Sequence, residues 1–133
     1  MHLLDNNVVS AVRRPRSNPA VVAWTAGASE ADLHLCAVPI GEIQAGIEIT
    51  RDQDAAKAEE LNQWLGRVMD TYRVLPEDGS ALRGWARLMH RRSDTLQQDA
   101  MIAAAATVHR LAVATRNDRD FDYLEVQTVN PSC

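Results

Sequence analysis

The sequence is poor in lysine, cysteine and long apolar runs, and each shortage closes off a class of function. A single lysine, Lys57, stands among 14 basic residues, and 18 Asp and Glu outnumber them to leave a formal net charge of −4. A chain that grips nucleic acid by bulk positive charge carries the opposite balance. Carboxylates gathered to hold divalent cations enter the same tally as negative until the cations offset them. The charge therefore excludes a simple basic binding surface and leaves metal–carboxylate chemistry open.

The two cysteines, Cys36 and Cys133, lie far apart, with no CxxC spacing and no histidine in a zinc pattern, so no disulfide framework or zinc site is indicated. His2, His34, His90 and His109 are scattered and offer no two-histidine acid–base pair. His34 sits between Leu33 and Leu35, which suits a structural place in a strand. A glycine-rich phosphate loop ending in Lys and Ser or Thr is missing, which removes the common nucleotide-hydrolase readings. No apolar run approaches the roughly 20 residues that span a bilayer. The opening MHLLDNN has neither the apolar length nor the cleavage residues of a signal peptide. The expectation is a cytoplasmic chain with no membrane partner and reduced thiols.

What is present is a chain of 133 residues, 46% hydrophobic, enough for one buried core. We read residues 1–133 as a single domain. Short apolar bursts at His2 to Leu4, Leu33 to Val38, Arg73 to Leu75, Leu111 to Ala114 and Val126 to Val129 alternate with segments of helical period. That alternation predicts an α/β domain with a mainly parallel sheet. Leu61, Trp64, Leu65, Val68 and Met69 form one apolar stripe, and Leu82, Trp85, Leu88 and Met89 another. Ala103 to Ala106 predict a helix pressed closely against the sheet or another helix. Asn18 before Pro19, and Asp78 or Ser80 before Leu82, fit helix-start preferences. Arg13 to Asn18 reads as an exposed turn.

In open parallel sheets ligands bind beyond the carboxyl ends of the strands, so acidic residues that follow strands carry the most information. Asp5 directly follows the first burst, Glu42 stands four residues past Val38 at the start of a helical segment Ile40 to Ile49, and Thr115 to Asp120 follow the burst at Leu111 to Ala114. Asp99 opens the alanine-rich helix, where a carboxylate is favoured by the macrodipole. Several carboxylates on one pocket repel one another unless protons, cationic side chains or metal intervene. Mg²⁺ or Mn²⁺, which prefer hard oxygen ligands, resolves the conflict and suits phosphodiester cleavage by an activated water.

With these residues in view the chain resembles the PIN domains, in particular VapC-type toxin ribonucleases of toxin–antitoxin pairs, and is also similar to the FitB proteins. The resemblance rests on LLDNNVVS at 3–10, IGEIQAGIE at 40–48, QDAMIAAAA at 98–106, LAVATRNDRDF at 111–121 and VNP at 129–131, and so runs through essentially the whole chain. It implies a PIN-like three-layer α/β/α fold and metal-holding carboxylates at Asp5, Glu42 and Asp99, with Asn7 and Thr115 orienting ligands or water. It further implies Mg²⁺ or Mn²⁺ as cofactor, RNA as substrate, a homodimer and a cognate VapB-type antitoxin that inserts a segment near the site.

Two departures stand out. Asn6 occupies the place of the hydroxyl residue that usually follows the first Asp, and the amide offers different geometry. The fourth acidic position falls on the neutral Asn117, which leaves Asp120 and, less favoured, Asp118 to supply a carboxylate. Phosphate must be met by cations. Arg13, Arg14 and Arg16, just past Asp5, and Arg116, beside Asn117, are the candidates for RNA or antitoxin contact, whereas Arg91 and Arg92 read as a solvated helix end. Two other readings compete with the metal-dependent ribonuclease. One is a catalytically weak PIN-fold binding or regulatory module that acts with its antitoxin. The other is a phosphoryl-receiver domain, which fits poorly because Lys57 lies in a helical segment rather than after a late strand.

Overall fold

A computed structural model describes residues 1–14, 16, 18–90 and 97–132. Arg91, Arg92 and Cys133 lie outside the described residues. The elements run β1 (His2–Leu4), α1 (Asn6–Arg13), α2 (Pro19–Ala26), a 3-10 turn (Glu30–Asp32), β2 (Leu33–Cys36), α3 (Ala37–Gln53) and α4 (Ala55–Thr71). They continue with β3 (Arg73–Leu75), α5 (Gly79–Met89), α6 (Gln97–Val108), β4 (Ala112–Ala114), a 3-10 helix (Asp118–Leu124) and β5 (Thr128–Val129). All five strands are parallel, in the order β3-β2-β1-β4-β5, with Leu3 opposite both His34 and Val113.

Strand alternation builds the three layers. Leu3, Cys36 and Val113 face one side, where they pack with Ala100, Ile102 and Ala103 of α6 and with Phe121 and Leu124. Leu4, Leu33, Leu35 and Ala114 face the other and meet Val8 and Val9 of α1, Val21 of α2, and Trp64 and Val68 of α4. Successive side chains of a strand point to opposite faces, so three-residue strands supply both cores. Each fully buried leucine adds about 2 kcal/mol. Ala103 to Ala106 are all buried, and a Cβ built on Gly84 of α5 would stand 3.5 Å from the Ala104 Cβ. Small side chains thus let α5 and α6 approach closely. Among the described residues no helix is long and apolar enough to cross a membrane.

Several boundaries depart from the sequence reading. β2 stops at Cys36 and Val38 belongs to α3, because the first-turn amides of a helix need no internal partner and so tolerate Pro39. The helix around Glu42 therefore starts at Ala37, earlier than Ile40. Leu111 is not in β4: its N–H closes the end of α6 onto Ala106 O at 2.8 Å, past Arg110 at a left-handed φ of 57°. β5 is limited to Thr128–Val129. Met69 and Leu82, placed in the apolar stripes, are 44% and 42% exposed, since the buried arc on each helix is narrower than the stripe. Asp78, not Ser80, caps α5 by accepting from Ala81 N at 3.0 Å. Asn18 makes no side-chain cap, and Pro19 alone marks the start of α2.

Candidate functional site

Asp5 occupies the junction where β1 becomes α1. Its N–H still pairs with Ala114 O at 2.9 Å, while its own carbonyl accepts from Val8 and Val9. The backbone thereby holds the carboxylate at the carboxyl end of the central strand. Oδ1 accepts from Asn6 N at 2.7 Å and Oδ2 from the Thr115 hydroxyl at 2.8 Å. Thr115, fully buried just past β4, accepts in turn from Asn7 Nδ2 at 3.3 Å and Asn117 N at 3.0 Å. Its single hydroxyl proton is thus committed to Asp5. Asn7 also accepts from Arg116 N at 3.1 Å, so one amide ties the chain after β4 to the first turn of α1.

Glu42 reaches the same edge from the second turn of α3, and Asn6 Nδ2 donates to its Oε2 at 3.0 Å. Ser10 donates to Asn6 Oδ1 at 3.1 Å and keeps the amide nitrogen turned toward Glu42. Asn6, met in the sequence as a departure from pattern, is the residue that aims this carboxylate. Its role was missed because a side chain 36 positions away in sequence gives no local sign. Asp99 is the third residue of α6, inside its first turn rather than before it.

Electrostatics show which acids share a neighbourhood. Asp99 is pushed up to about 6, first by burial and then by the charges of Asp5, Asp120 and Glu42. Burial also raises Asp5, against the pull of the Thr115 and Asn6 hydrogen bonds and with a further push from Asp120. Glu42 is raised by burial, with Asn6 opposing and Asp5 adding. Asp120 acts on both Asp5 and Asp99 from an exposed position on the 3-10 helix, where its N–H donates to Asn117 O. Asp118 is engaged elsewhere, accepting from Asn130 Nδ2 at 3.4 Å, and Asn117 contributes backbone groups from an exposed position.

Four carboxyl groups from four parts of the chain therefore feel one another. Among the described residues, however, no group of three or more His, Cys, Asp or Glu side chains is arranged to hold one metal ion directly. The donors still fit a hard divalent cation, because Mg²⁺ characteristically takes one or two carboxylates and fills its remaining positions with water and phosphate oxygens.

Two other groups stand near this edge. Burial pushes the Cys36 thiol to about 12, against a backbone hydrogen bond at Val38 and with added pushes from Glu77, Asp5 and Glu42. Glu77, past the end of β3, was not singled out from sequence. Both its oxygens are buried, and burial followed by Asp78 raises its carboxyl while the nearby Cys36 thiol offsets part of the rise.

The arginines divide. Arg13, Arg14 and Arg116 line a cavity of about 500 Å³ that also includes Asn6 and Asn7. Arg13 lies over the Trp64 ring, its guanidinium carbon 5.9 Å from the centroid. Arg116 Nε donates to Ser132 at 3.1 Å. Arg16 is exposed in the turn between α1 and α2 and does not line the cavity.

Comparison with known proteins agrees with this geometry. A family model described as PIN domain matches residues 2–126. Toxin FitB of Neisseria gonorrhoeae is 30% identical over 138 aligned positions that cover 98% of both chains. VapC ribonuclease Y4jK of Sinorhizobium fredii is 31% identical, covering 98% of this chain and 97% of the relative. The crystal structure of FitAcB from Neisseria gonorrhoeae matches with a TM-score of 0.87 at 31% identity, covering 98% of each chain. With its parallel five-stranded sheet between helical layers and a match along nearly its whole length, the chain belongs to the PIN domain family.

Proposed function

We propose that this protein is the toxin of a VapBC-type toxin–antitoxin pair, a Mg²⁺- or Mn²⁺-dependent endoribonuclease that cleaves RNA by attack of water. The observation that carries the reading is the gathering of Asp5, Glu42, Asp99 and Asp120 at the carboxyl edge of the sheet, where burial first, and then the charges of the other three, push Asp99 up to about 6. The names of its relatives, Toxin FitB and VapC ribonuclease Y4jK, support the same reading. A cognate antitoxin and a second copy of the chain are the protein partners it entails.

When bound, the divalent cation supplies polarisation of the phosphate and a water of lowered pKa. Asp5 is the principal holder, its oxygens pre-aimed by Thr115 and the Asn6 N–H so that little ordering remains at the moment of reaction. Glu42, steadied by Asn6, and Asp99, on the first turn of α6, complete the acidic wall and accept hydrogen bonds from water facing the phosphate. Asp120 adds charge from the rim. Arg13, Arg14 and Arg116 draw the RNA backbone toward this wall.

The second reading, a catalytically weak binding module, is favoured by the neutral Asn117 at the fourth acidic position and by Asn6 beside Asp5. Cleavage of single-stranded RNA in ¹⁸O-labelled water tests the proposal. Hydrolysis by water leaves an acyclic terminal phosphate carrying the label. An unlabelled 2′,3′-cyclic phosphate would contradict water as the attacking group, and no cleavage with either cation would favour the binding module.

A further inference from the structure

The cavity of about 500 Å³ beside the acidic wall is within the range that takes a small organic ligand, and its lining is unusual for a chain of net charge −4. Three arginines, Arg13, Arg14 and Arg116, line it. The ion pairs found among the described residues are Arg51 with Glu48 and Lys57 with Glu60, so none of these three is neutralised by a carboxylate there. Nδ2 of Asn18 donates to Arg14 O, which leaves the amide oxygen of Asn18 as an acceptor at the rim. Its apolar lining includes Ile47 and Trp64, over whose ring Arg13 lies. The near wall is Asn6 and Asn7, the residues that aim Glu42 and clamp Thr115, so the cavity and the acidic wall share a boundary.

We propose that this cavity seats one nucleotide of the RNA next to the scissile phosphate and thereby sets the base preference of cleavage. The inference rests on the ribonuclease reading and adds its specificity pocket. Single-stranded RNA is recognised by splaying bases onto aromatic and guanidinium planes and hydrogen-bonding their edges. Arg13 pinned over Trp64 supplies such a plane, Asn18 Oδ1 can accept from an exocyclic amine, and Arg14 and Arg116 meet the flanking phosphates. An acidic protein segment would match the three cations equally. A nucleotide is favoured by the size of the cavity, the Trp64 ring in its lining and its shared boundary with the groups that face the phosphate to be cut.

The test compares the parent chain with Gly46→Leu and Gly66→Leu. A Cβ at either glycine meets nothing within 4 Å, so each replacement starts in open space, and both favour the helix. Gly46 lines the cavity and Gly66 does not. Each protein cleaves a single-stranded RNA pool of randomised sequence, and the cut sites are sequenced. With Gly46→Leu, the preference at one position beside the cut flattens and kcat/KM on the parent's preferred sequence falls about tenfold, the scale of discrimination by one filled pocket. Gly66→Leu retains the parent profile. An unchanged profile in Gly46→Leu overturns the inference.

Binding of a fluorescein-labelled octanucleotide RNA to the Asp5→Asn chain, with and without Gly46→Leu, separates this inference from the ribonuclease reading. If the parent chain cuts no RNA yet Gly46→Leu weakens octanucleotide binding, the pocket stands and the enzyme reading falls. If the octanucleotide does not bind at all, both fall. If it binds both forms alike while a polyglutamate peptide binds only with Gly46 intact, the cavity belongs to a protein segment and the nucleotide assignment is wrong.

Discussion

In metal-free solution, Asp99→Asn should make the folded chain more stable at neutral pH even as it removes cleavage. Burial, then Asp5, Asp120 and Glu42, push the Asp99 carboxyl from an ordinary 3.8 up to about 6. Between those values the folded chain keeps a proton that the unfolded chain has lost. Stability therefore falls as pH rises through that window and stays at its lower level above it. Asp99 is only half buried, so solvent screening reduces the penalty to on the order of 1 kcal/mol. The favourable field of the α6 N-terminus, about 0.5 kcal/mol for an exposed carboxylate, opposes it without reversing it. For a chain of this size the gain from an uncharged isostere corresponds to about 3 °C in Tm. Thermal melts of parent and variant in EDTA, from about pH 4 to about pH 7.5, should show a difference near zero at the acid end and in favour of Asn at the other. Added Mg²⁺ should raise the parent more than the variant. A variant less stable than its parent at the upper pH in EDTA would mean that the Asp99 carboxylate is held by attraction, and the account of a mutually repelling acidic wall would be wrong.

Asn6→Ala removes the 3.0 Å bond to Glu42 and should lower kcat about tenfold with KM little changed, the worth of one charge-assisted hydrogen bond; a parallel rise in KM would place Asn6 on the substrate instead. Thr115→Val leaves Asp5 Oδ2 without its donor and Asn7 and Asn117 N without their acceptor, and should cost about 2 kcal/mol in urea unfolding with an unchanged m-value; an unaltered midpoint would show that the network carries no net stability. Asp120→Asn should depress cleavage more than Asp118→Asn, because Asp120 acts on Asp5 and Asp99 whereas Asp118 is engaged by Asn130; the reverse order in initial rates would exchange their roles.

The legible parts of fold and site were those where position along a strand determines position in space. In a parallel sheet every strand delivers its next residue to the same edge, so Asp5 after β1 and Thr115 after β4 could be placed from sequence, as could the bounds of β1 and β3. The alternation of short apolar bursts with segments of helical period foretold a mainly parallel sheet. Boundaries set by backbone satisfaction were harder to read. Pro39 looks like a helix breaker until its place among the unpartnered first-turn amides is known, and Leu111 looks like a strand residue until its N–H closes α6. Least legible were bonds between distant side chains. Asn6 aiming Glu42, Asn130 engaging Asp118 and Ser132 tethering Arg116 depend on orientations that no local pattern encodes.

The claim at the centre of this account is that the acidic wall works with a divalent cation to cut RNA. It is tested most directly by titrating Mg²⁺ and Mn²⁺ into the purified chain and measuring initial rates on single-stranded RNA, with Asp5→Asn and Asp99→Asn beside it. The account predicts no cleavage in EDTA, saturable activation by either cation, and loss of at least about two orders of magnitude in each variant, the scale seen when a principal electrostatic group is removed. Cleavage that persists in EDTA, or that survives both substitutions, would contradict it.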